Sequence, residues 1–585
     1  MISVYNSAIA IHHGCDIIFT MSREQEIEIK SRLQKESGYM IHRGGGRSKF
    51  ALVYPNHYHV GMSNLGIHII YEMLNSRADT SCERVFLPEP KTLAQIERSK
   101  STLLSMETQM PLFKFPLIGF AVSFEPDYFN VLKILELGKV KLKSEERGEL
   151  DPIVIAGGPC ATFNPEPLSM FIDAFVIGEG EVVLPPLLDV IYSAKAEKLS
   201  RLETLQKLSN VAGVYVPLIH NSAFRIPNSA LIKRQWLKNL DEHPAHTVIV
   251  TDDTEFNMYL IETARGCGRH CRFCMAGYCF RRPRNRSLEV LKSEAEAAKK
   301  FGKKIGLMGA AISDYPQINE LCQIIREAGL PMSVASFRAD SVTAELVEAL
   351  VASGLKTLTI APEAGSAKMR AVINKGIEEE HIFKTVELGI VAGVKNFRLY
   401  FMIGLPFEEL SDVEAIVELC NRLKDFIELK SNTNKLTLSI NPFIPKPFTP
   451  FQWAPMADKK YIEEALKIIR NGLKRKNVEI IAESSRESLV QAVLARGDKS
   501  LGEVLTTAHN NGGLKAFRQA MKSHDIDADY YLYRQRDKDE VFPWDFLDMG
   551  FSKKYLYREY ENAKMMKNTE PCFNNCKRCG VCNTM

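Results

Sequence analysis

Cysteines 267, 271 and 274, in the stretch Thr263-Ala-Arg-Gly-Cys267-Gly-Arg-His-Cys271-Arg-Phe-Cys274, have the types and spacing to do chemistry. Gaps of three and then two residues let three thiolates turn toward one point. That arrangement suits a cubane iron–sulfur cluster whose fourth iron has no protein ligand, and such an open iron can bind and reduce a small molecule. A structural zinc site would need a fourth ligand nearby, which His270 or Cys279 could offer; three buried thiols are the remaining reading. A second group, Cys572-x3-Cys576-x2-Cys579-x2-Cys582, places four thiols in one short loop. Four ligands would close a centre, making it an electron conduit or a structural staple. An auxiliary 4Fe–4S cluster or zinc would satisfy the spacing, and the dense single loop favours iron–sulfur, because paired zinc knuckles use a longer spacer.

The first spacing, with an aromatic residue before its last cysteine, resembles the radical S-adenosylmethionine superfamily, whose signature is Cys-x3-Cys-x-aromatic-Cys. The resemblance implies a 4Fe–4S cluster on Cys267, Cys271 and Cys274, S-adenosyl-L-methionine chelating the open iron, and a reducing partner such as a flavodoxin or ferredoxin. It brings no substrate with it.

The elements that must position these cysteines recur regularly. Strands are predicted at Tyr259–Thr263, Ile305–Met308, Met332–Ala335, Thr357–Ile360, Asn396–Met402 and Leu436–Ile440, with helices between them. Ser287 suits an N-cap, and Gly302, Gly329, Gly354 and Gly393 fall where C-caps belong. Six βα units in series predict a partial (β/α)6 TIM-type barrel, whose chemistry gathers at the strand C-termini. After the six strands come the cysteines, Gly309, Ser336 with Arg338, Glu363, Gly404, and Asn441-Pro442. In the family resemblance these are cofactor positions. The Gly309 turn admits close backbone approach, Arg338 offers a fork to a carboxylate, Glu363 accepts from ribose hydroxyls, and Phe273, Met402 and Ile403 form an apolar wall for adenine. The alternative is that Arg338 and Glu363 pair with each other. Seven arginines between Arg265 and Arg286 either offset the charge of the cluster and cofactor or form a nucleic-acid surface, the former being preferred.

Upstream, short apolar strands alternate with helices from Ala51 to Ile177, predicting a doubly wound parallel sheet with its ligand crevice at the strand ends. Gly157 and Gly158 follow one strand and Gly178 another. The run Gly157-Gly-Pro-Cys160 with Gly178-Glu-Gly-Glu181 resembles the cobalamin-binding-type domain that precedes the radical core in many relatives. There is no Asp-x-His-x-x-Gly, and Cys160 stands where relatives carry histidine. Cobalamin binding without that histidine, or a domain kept as scaffold or substrate cap, are the two readings. His57 and His59 are expected to be surface residues of a turn.

The fold class is therefore α/β: an N-terminal Rossmann-like parallel sheet domain, a partial barrel and a helical C-terminal region. The expected domains are residues 1–40, an extension with a helix; 41–250, the sheet and a connector; 251–455, the radical core; and 456–585, helices with the Cys-rich tail. In the last, Phe542-Pro-Trp544-Asp545 is expected to anchor packing. The chain's 585 residues exceed what one core can hold, and 45% hydrophobic with 25% charged residues is ordinary for globular proteins. The net charge of +4 points to neither nucleic acid nor a membrane globally. Clustered cysteines without a signal-peptide pattern indicate metal ligation in a reducing, cytoplasmic setting. The first 20 residues are expected to be a poorly ordered extension or an over-long start.

The implied function is reductive cleavage of S-adenosylmethionine to begin a radical modification. With cobalamin this becomes methyl transfer to an unactivated carbon. The alternatives are a two-cluster electron-transfer protein and a nucleic-acid-modifying radical enzyme.

Overall fold

The structure is a computed structural model that describes residues 22–42, 45–220, 231–430, 435–474, 477–573 and 576–583. The expectation for the first 20 residues lies outside them. After a helix at Arg23–Leu33 come strands β1 (Ser48–His57), β2 (Thr80–Leu87), β3 (Leu117–Ala121), β4 (Ile153–Gly157), β5 (Ala174–Val176) and β6 (Val214–Tyr215). They form one sheet in the order β2-β1-β3-β4-β5-β6, parallel except for β6. β2 is buried along its whole length and β1 at six of ten positions, as a sheet covered by helices on both faces requires. The strand order reverses between β1 and β3, so the crevice of such a sheet opens there, outside the strand carboxyl ends.

Strand β7 (Ile232–Lys233) belongs to the connector. The barrel begins with β8 (Met258–Glu262), followed by a small antiparallel pair, β9 (Ala264–Arg265) and β10 (Arg284–Asn285). It continues through β11 (Lys304–Met308), β12 (Met332–Val334), β13 (Thr357–Glu363), β14 (Asn396–Ile403), β15 (Lys435–Pro442) and β16 (Glu479–Ala482). Two parallel arcs, β8-β11-β12 and β13-β14-β15-β16, meet through a parallel bridge between Phe337 and Ile360. The barrel thus has the six expected strands and a seventh. β16, Glu-Ile-Ile-Ala, is a four-residue edge strand that alternates exposed with half-buried positions. Ser287 accepts from the Val290 amide as an N-cap. Gly302, Gly329, Gly354 and Gly393 all have positive φ, as left-handed C-caps do.

The C-terminal helices close the assembly. Strand β17 (Leu547–Asp548) pairs with β7, so the end of the chain is joined to the connector. Phe542 and Trp544 are buried, with ring centroids 5.0 Å apart, and Trp453 packs on Phe542. The expected anchor is indeed a packing feature. Among the described residues no helix is long and apolar enough to cross a membrane.

Candidate functional site

The cysteine loop leaves the barrel where β8 ends, and its entry is fixed by sequence. The buried Thr263 gives both its amide and its hydroxyl to the Met308 carbonyl of β11, at 2.8 and 3.0 Å. Gly266 has φ +83°, and a Cβ there would stand 2.2 Å from the Phe280 carbonyl oxygen, so only glycine fits the turn. Beyond it, Arg272 is fully buried and donates to the carbonyls of Ala371 and Val372, at 2.9 Å each, and of Lys567. Asn374 donates to the carbonyls of Arg269, His270 and Thr569. The loop is therefore held by the segment after β13 and by the chain's end together.

Within it the three thiols share one poorly solvated space. Burial raises Cys267, as does the neighbouring Cys271. Cys274 is pushed up to about 12, first by burial and then by the charges of Cys271 and Cys267. Three thiolates that repel one another in a dry pocket are unfavourable by themselves, and bound iron would reverse that. Arg338 places Nη1 3.8 Å from the Cys271 sulfur while donating to the Lys375 carbonyl at 2.6 Å. Among the described residues no three His, Cys, Asp or Glu side chains close on the point a single metal ion would occupy. A cubane, with one iron per thiolate, holds its ligands farther apart than one tetrahedral ion does. The donor set fits a cluster on Cys267, Cys271 and Cys274.

The other sequence-chosen residues are distributed less simply. Arg338 pairs with Asp340 at 3.1 Å, and Glu363 takes Lys375 at 3.1 Å. The alternative pairing of Arg338 with Glu363 does not form. The Lys375 ammonium also lies 5.9 Å from the Phe273 ring centroid, so Phe273, Glu363 and Lys375 make one group beside the loop. Ser336 is exposed at the end of β12. Ile403 is fully buried in the barrel core, so of the expected adenine wall it belongs to packing. Gly404 has φ +74°, and a Cβ there would meet Ala457 and Ile462 at 2.7 Å; the helix Lys459–Leu473 sets that glycine.

Gly157, Gly158, Gly178 and Gly309 line one cavity of about 470 Å³ between the strand ends of the sheet and those of the barrel. The glycines have different causes. A Cβ on Gly158 would strike the Val122 carbonyl oxygen at 2.6 Å, and one on Gly178 the Gln235 carbonyl oxygen at 2.0 Å. Close approach of the protein's own backbone dictates both. Cys160 is a buried core thiol beside Tyr128 and is not part of the cavity wall. His57 lies near the Leu87 carbonyl and stacks with His59, and neither lines the cavity.

The cavity has a charged floor that the sequence reading missed. Glu179, the N-cap of the helix Gly180–Ala196 that follows β5, and Glu181, in its first turn, meet Arg265, which also pairs with Glu262 at 2.9 Å. Arg284 reaches Glu179 at 2.7 Å, and Arg286 reaches Glu262 at 2.8 Å. Arg269 pairs with Asp314 and Asp340. The arginine-rich stretch therefore mainly meets carboxylates and carbonyls of the chain itself. Arg281 is the exception, with the Cys572 sulfur 3.4 Å from its Nη2 and no carboxylate in an ion pair with it among the described residues. The paired glutamates in Gly178-Glu-Gly-Glu181 were the available signal, being acidic residues in an otherwise apolar strand-end run.

The tail lies against the same loop. The Cys572 amide donates to the Gly268 carbonyl at 2.8 Å, and the Cys572 sulfur is 3.2 Å from Nε2 of His270. Burial raises the Cys572 thiol. At Cys576 burial is the largest single influence and acts in the same sense, but the hydrogen bonds and charge of Arg578, with a backbone hydrogen bond at Phe573, together outweigh it and lower the thiol. Cys579 is buried and Cys582 half-buried.

Residues 66–217 match the family described as "Radical SAM proteins, N-terminal", and residues 261–420 match "Radical SAM superfamily". A protein of Methanocaldococcus jannaschii, "Uncharacterized protein MJ0966", is 31% identical over 494 residues, covering 83% of this chain and 96% of the relative. Among solved structures, the radical S-adenosylmethionine methyltransferase TsrM from Kitasatospora setae, with cobalamin and a 4Fe–4S cluster bound, is 13% identical. It covers 82% of this chain and 99% of its own, with a TM-score of 0.47. The cobalamin-dependent S-adenosylmethionine radical enzyme OxsB, with aqua-cobalamin bound, is 18% identical over 75% of this chain and 58% of its own, with a TM-score of 0.48.

Proposed function

Since the chain belongs to the radical S-adenosylmethionine superfamily, we propose that it reductively cleaves S-adenosylmethionine on a cluster held by Cys267, Cys271 and Cys274 and uses the radical to modify a substrate. The observation that carries this is the crowding of three thiols, Cys271 buried and Cys267 and Cys274 half-buried, on one loop at the mouth of the barrel, with the Arg338 guanidinium at Cys271. When bound, the cluster supplies one electron and an open iron for the amino and carboxylate groups of S-adenosylmethionine.

The protein's part is positioning and exclusion of water. Arg338, fixed by Asp340 and the Lys375 carbonyl, presents positive charge beside Cys271 and toward a bound carboxylate. Glu363 offers an acceptor to ribose hydroxyls, with Lys375 holding it in place. Phe273 gives an apolar surface, and Gly309 brings backbone to the cavity edge. The cavity walls carry mostly carbon, so a ligand that enters them leaves water behind.

The finer reading is methyl transfer with cobalamin in this cavity, held at the sheet side by the backbone around Gly157, Gly158 and Gly178. No Asp-x-His-x-x-Gly loop is present in the sequence, so cobalamin would bind without that histidine. The reductant is a low-potential protein of flavodoxin or ferredoxin class.

One anaerobic preparation tests both levels. The reconstituted, reduced protein is given S-adenosylmethionine, and 5′-deoxyadenosine, S-adenosylhomocysteine, iron, zinc and cobalamin are measured. Formation of 5′-deoxyadenosine is expected. A cleanly reduced cluster that yields neither product overturns the enzyme reading and leaves two-centre electron transfer. Methyl transfer requires bound cobalamin and S-adenosylhomocysteine together.

A further inference from the structure

Arg281 is 1% exposed, and two of its nitrogens, Nε and Nη1, have no hydrogen-bond partner. Its Nη2 lies 3.4 Å from the Cys572 sulfur and 3.0 and 3.1 Å from the two ring nitrogens of His270. Among the described residues no carboxylate forms an ion pair with it, whereas Arg265, Arg269, Arg272, Arg284 and Arg286 each have one; Arg234, which donates to the Arg281 carbonyl, shares the lack of one. A buried guanidinium facing no negative charge is expensive. The groups near it that could carry such charge are the Tyr278 and Tyr555 phenols and the thiols of Cys572 and Cys579. Burial drives both phenols upward, so they stay neutral. Metal-bound thiols are deprotonated outright.

The same residues join the tail to the first cysteine loop, although His270 and Cys572 are 302 positions apart in the chain. A Cβ on Gly268 would stand 3.1 Å from the Cys572 Cβ, so the glycine is what lets the tail come this close. His270 Nδ1 lies 2.6 Å from the Tyr555 hydroxyl, which fixes the ring between Tyr555 and Cys572. A staple alone would not need to back onto a loop that consumes electrons.

We propose that Cys572, Cys576, Cys579 and Cys582 hold a second iron–sulfur centre, with Arg281 as its counter-charge, that passes single electrons across Gly268 and His270 to the centre on Cys267, Cys271 and Cys274. The electron balance is simple. A one-electron donor protein of ferredoxin or flavodoxin class is oxidised by one electron, the tail centre gains and then loses it, and the first centre is reduced by one. No atom or proton is transferred. The inference rests on the first centre proposed above, so its test must separate the two. Tetrathiolate zinc would answer the charge of Arg281 equally well but could carry no electron.

The test uses the full chain, reconstituted anaerobically, with Cys579→Ala and Arg281→Met variants. Iron, sulfide and zinc are assayed, and the reduced proteins are studied by electron paramagnetic resonance. The parent should hold about eight irons and Cys579→Ala about four. In the reduced parent the two centres should broaden each other's signals, and that broadening should vanish in Cys579→Ala. Reduced ferredoxin should reduce the first centre of the parent rapidly and that of Cys579→Ala slowly, with dithionite reduction of each as baseline. Arg281→Met, which keeps all four ligands, should hold both centres with the tail potential shifted to more negative values; this variant decides the matter if Cys579→Ala does not fold. One zinc with about four irons in the parent, equal ferredoxin rates, or an unshifted tail potential in Arg281→Met overturns the proposal. A change in the first centre's signal on adding S-adenosylmethionine reports on the proposed function alone.

Discussion

Glu179 offers the most exacting test of how the sheet and the barrel are held over their shared cavity. Its carboxylate is buried and accepts from Arg284 at 2.7 and 3.0 Å, from Arg265 at 2.9 Å and from the Leu237 amide at 3.0 Å. Burial acts to raise this carboxyl, but Arg284 and Arg265 outweigh it and hold the group below its ordinary range. Glu179→Gln keeps the shape and removes the charge. Arg284 would then have only carbonyls, among them Leu237, and the Trp236 ring 5.1 Å away, while Arg265 would keep Glu181 and Glu262. Breaking a buried pair from one side costs about 3–5 kcal/mol, and the partners left to Arg265 place the expected loss near the lower figure. Against a total of roughly 5–15 kcal/mol, that is a large shift in a urea unfolding midpoint. Adding Arg284→Met removes the orphaned charge, so the double variant should recover part of the loss, with a coupling of about 1–3 kcal/mol. The sign with pH follows from the lowered carboxyl. Its contribution is full above the unfolded value of about 4.3 and is lost as pH falls through the folded one, so parent and Glu179→Gln should converge in acid. A loss under about 1 kcal/mol at neutral pH, or strict additivity of the two substitutions, would refute the reasoning.

Three further outcomes are expected. Gly178→Ala forces φ +119° on a side-chain residue and drives a Cβ to 2.0 Å from the Gln235 carbonyl oxygen; strain alone should cost about 1–3 kcal/mol, measured by thermal unfolding, and a neutral effect would show that the loop moves freely. Glu408 is pushed up to about 7 by burial, with the Gly404 amide and the Tyr461 hydroxyl opposing. The folded protein thus keeps a proton that the unfolded chain loses near pH 4.3, and stability should fall as pH rises from there toward about 7. Glu408→Gln should flatten that slope in urea titrations across the range, and an unchanged slope would assign it to other groups. Cys271→Ala should abolish 5′-deoxyadenosine formation and remove about four irons per chain; retention of either would remove Cys271 from the cluster.

The strands were legible because each is a short apolar run set off by glycine or a polar turn, and burial within β11, β14 and β15 follows that pattern. The first cysteine loop was legible because its ligands are local in sequence. β16 was missed because it is only four residues long, Glu479-Ile-Ile-Ala482, and only alternate positions are even partly buried, so its apolar run is too short to stand out from the helices on either side. Gly404 and Gly178 show another limit. Glycine at a strand end signals close approach without saying to what, and here the approaching groups are Ala457 with Ile462 and the Gln235 backbone. The arginines misled for a related reason: their charge is visible in the sequence, but their partners, Glu179 and Asp314 among them, come from other strand ends.

These distant pairings bear on how the site can work. Arg272 ties the first cysteine loop to the carbonyls of Ala371 and Val372 and to Lys567, while Asn374 ties it to Thr569. The loop thus takes its shape from the barrel and from the last turns of the chain at once. A loop whose thiols crowd one another without iron needs such outside restraint to stay assembled while a cluster is inserted. On the opposite side, Glu179 and Arg265 join the sheet's strand ends to the loop's first residues. Displacement of either restraint should therefore be felt at the cysteines before the sheet or the barrel unfolds, and loss of iron should precede loss of helical signal as the protein is heated.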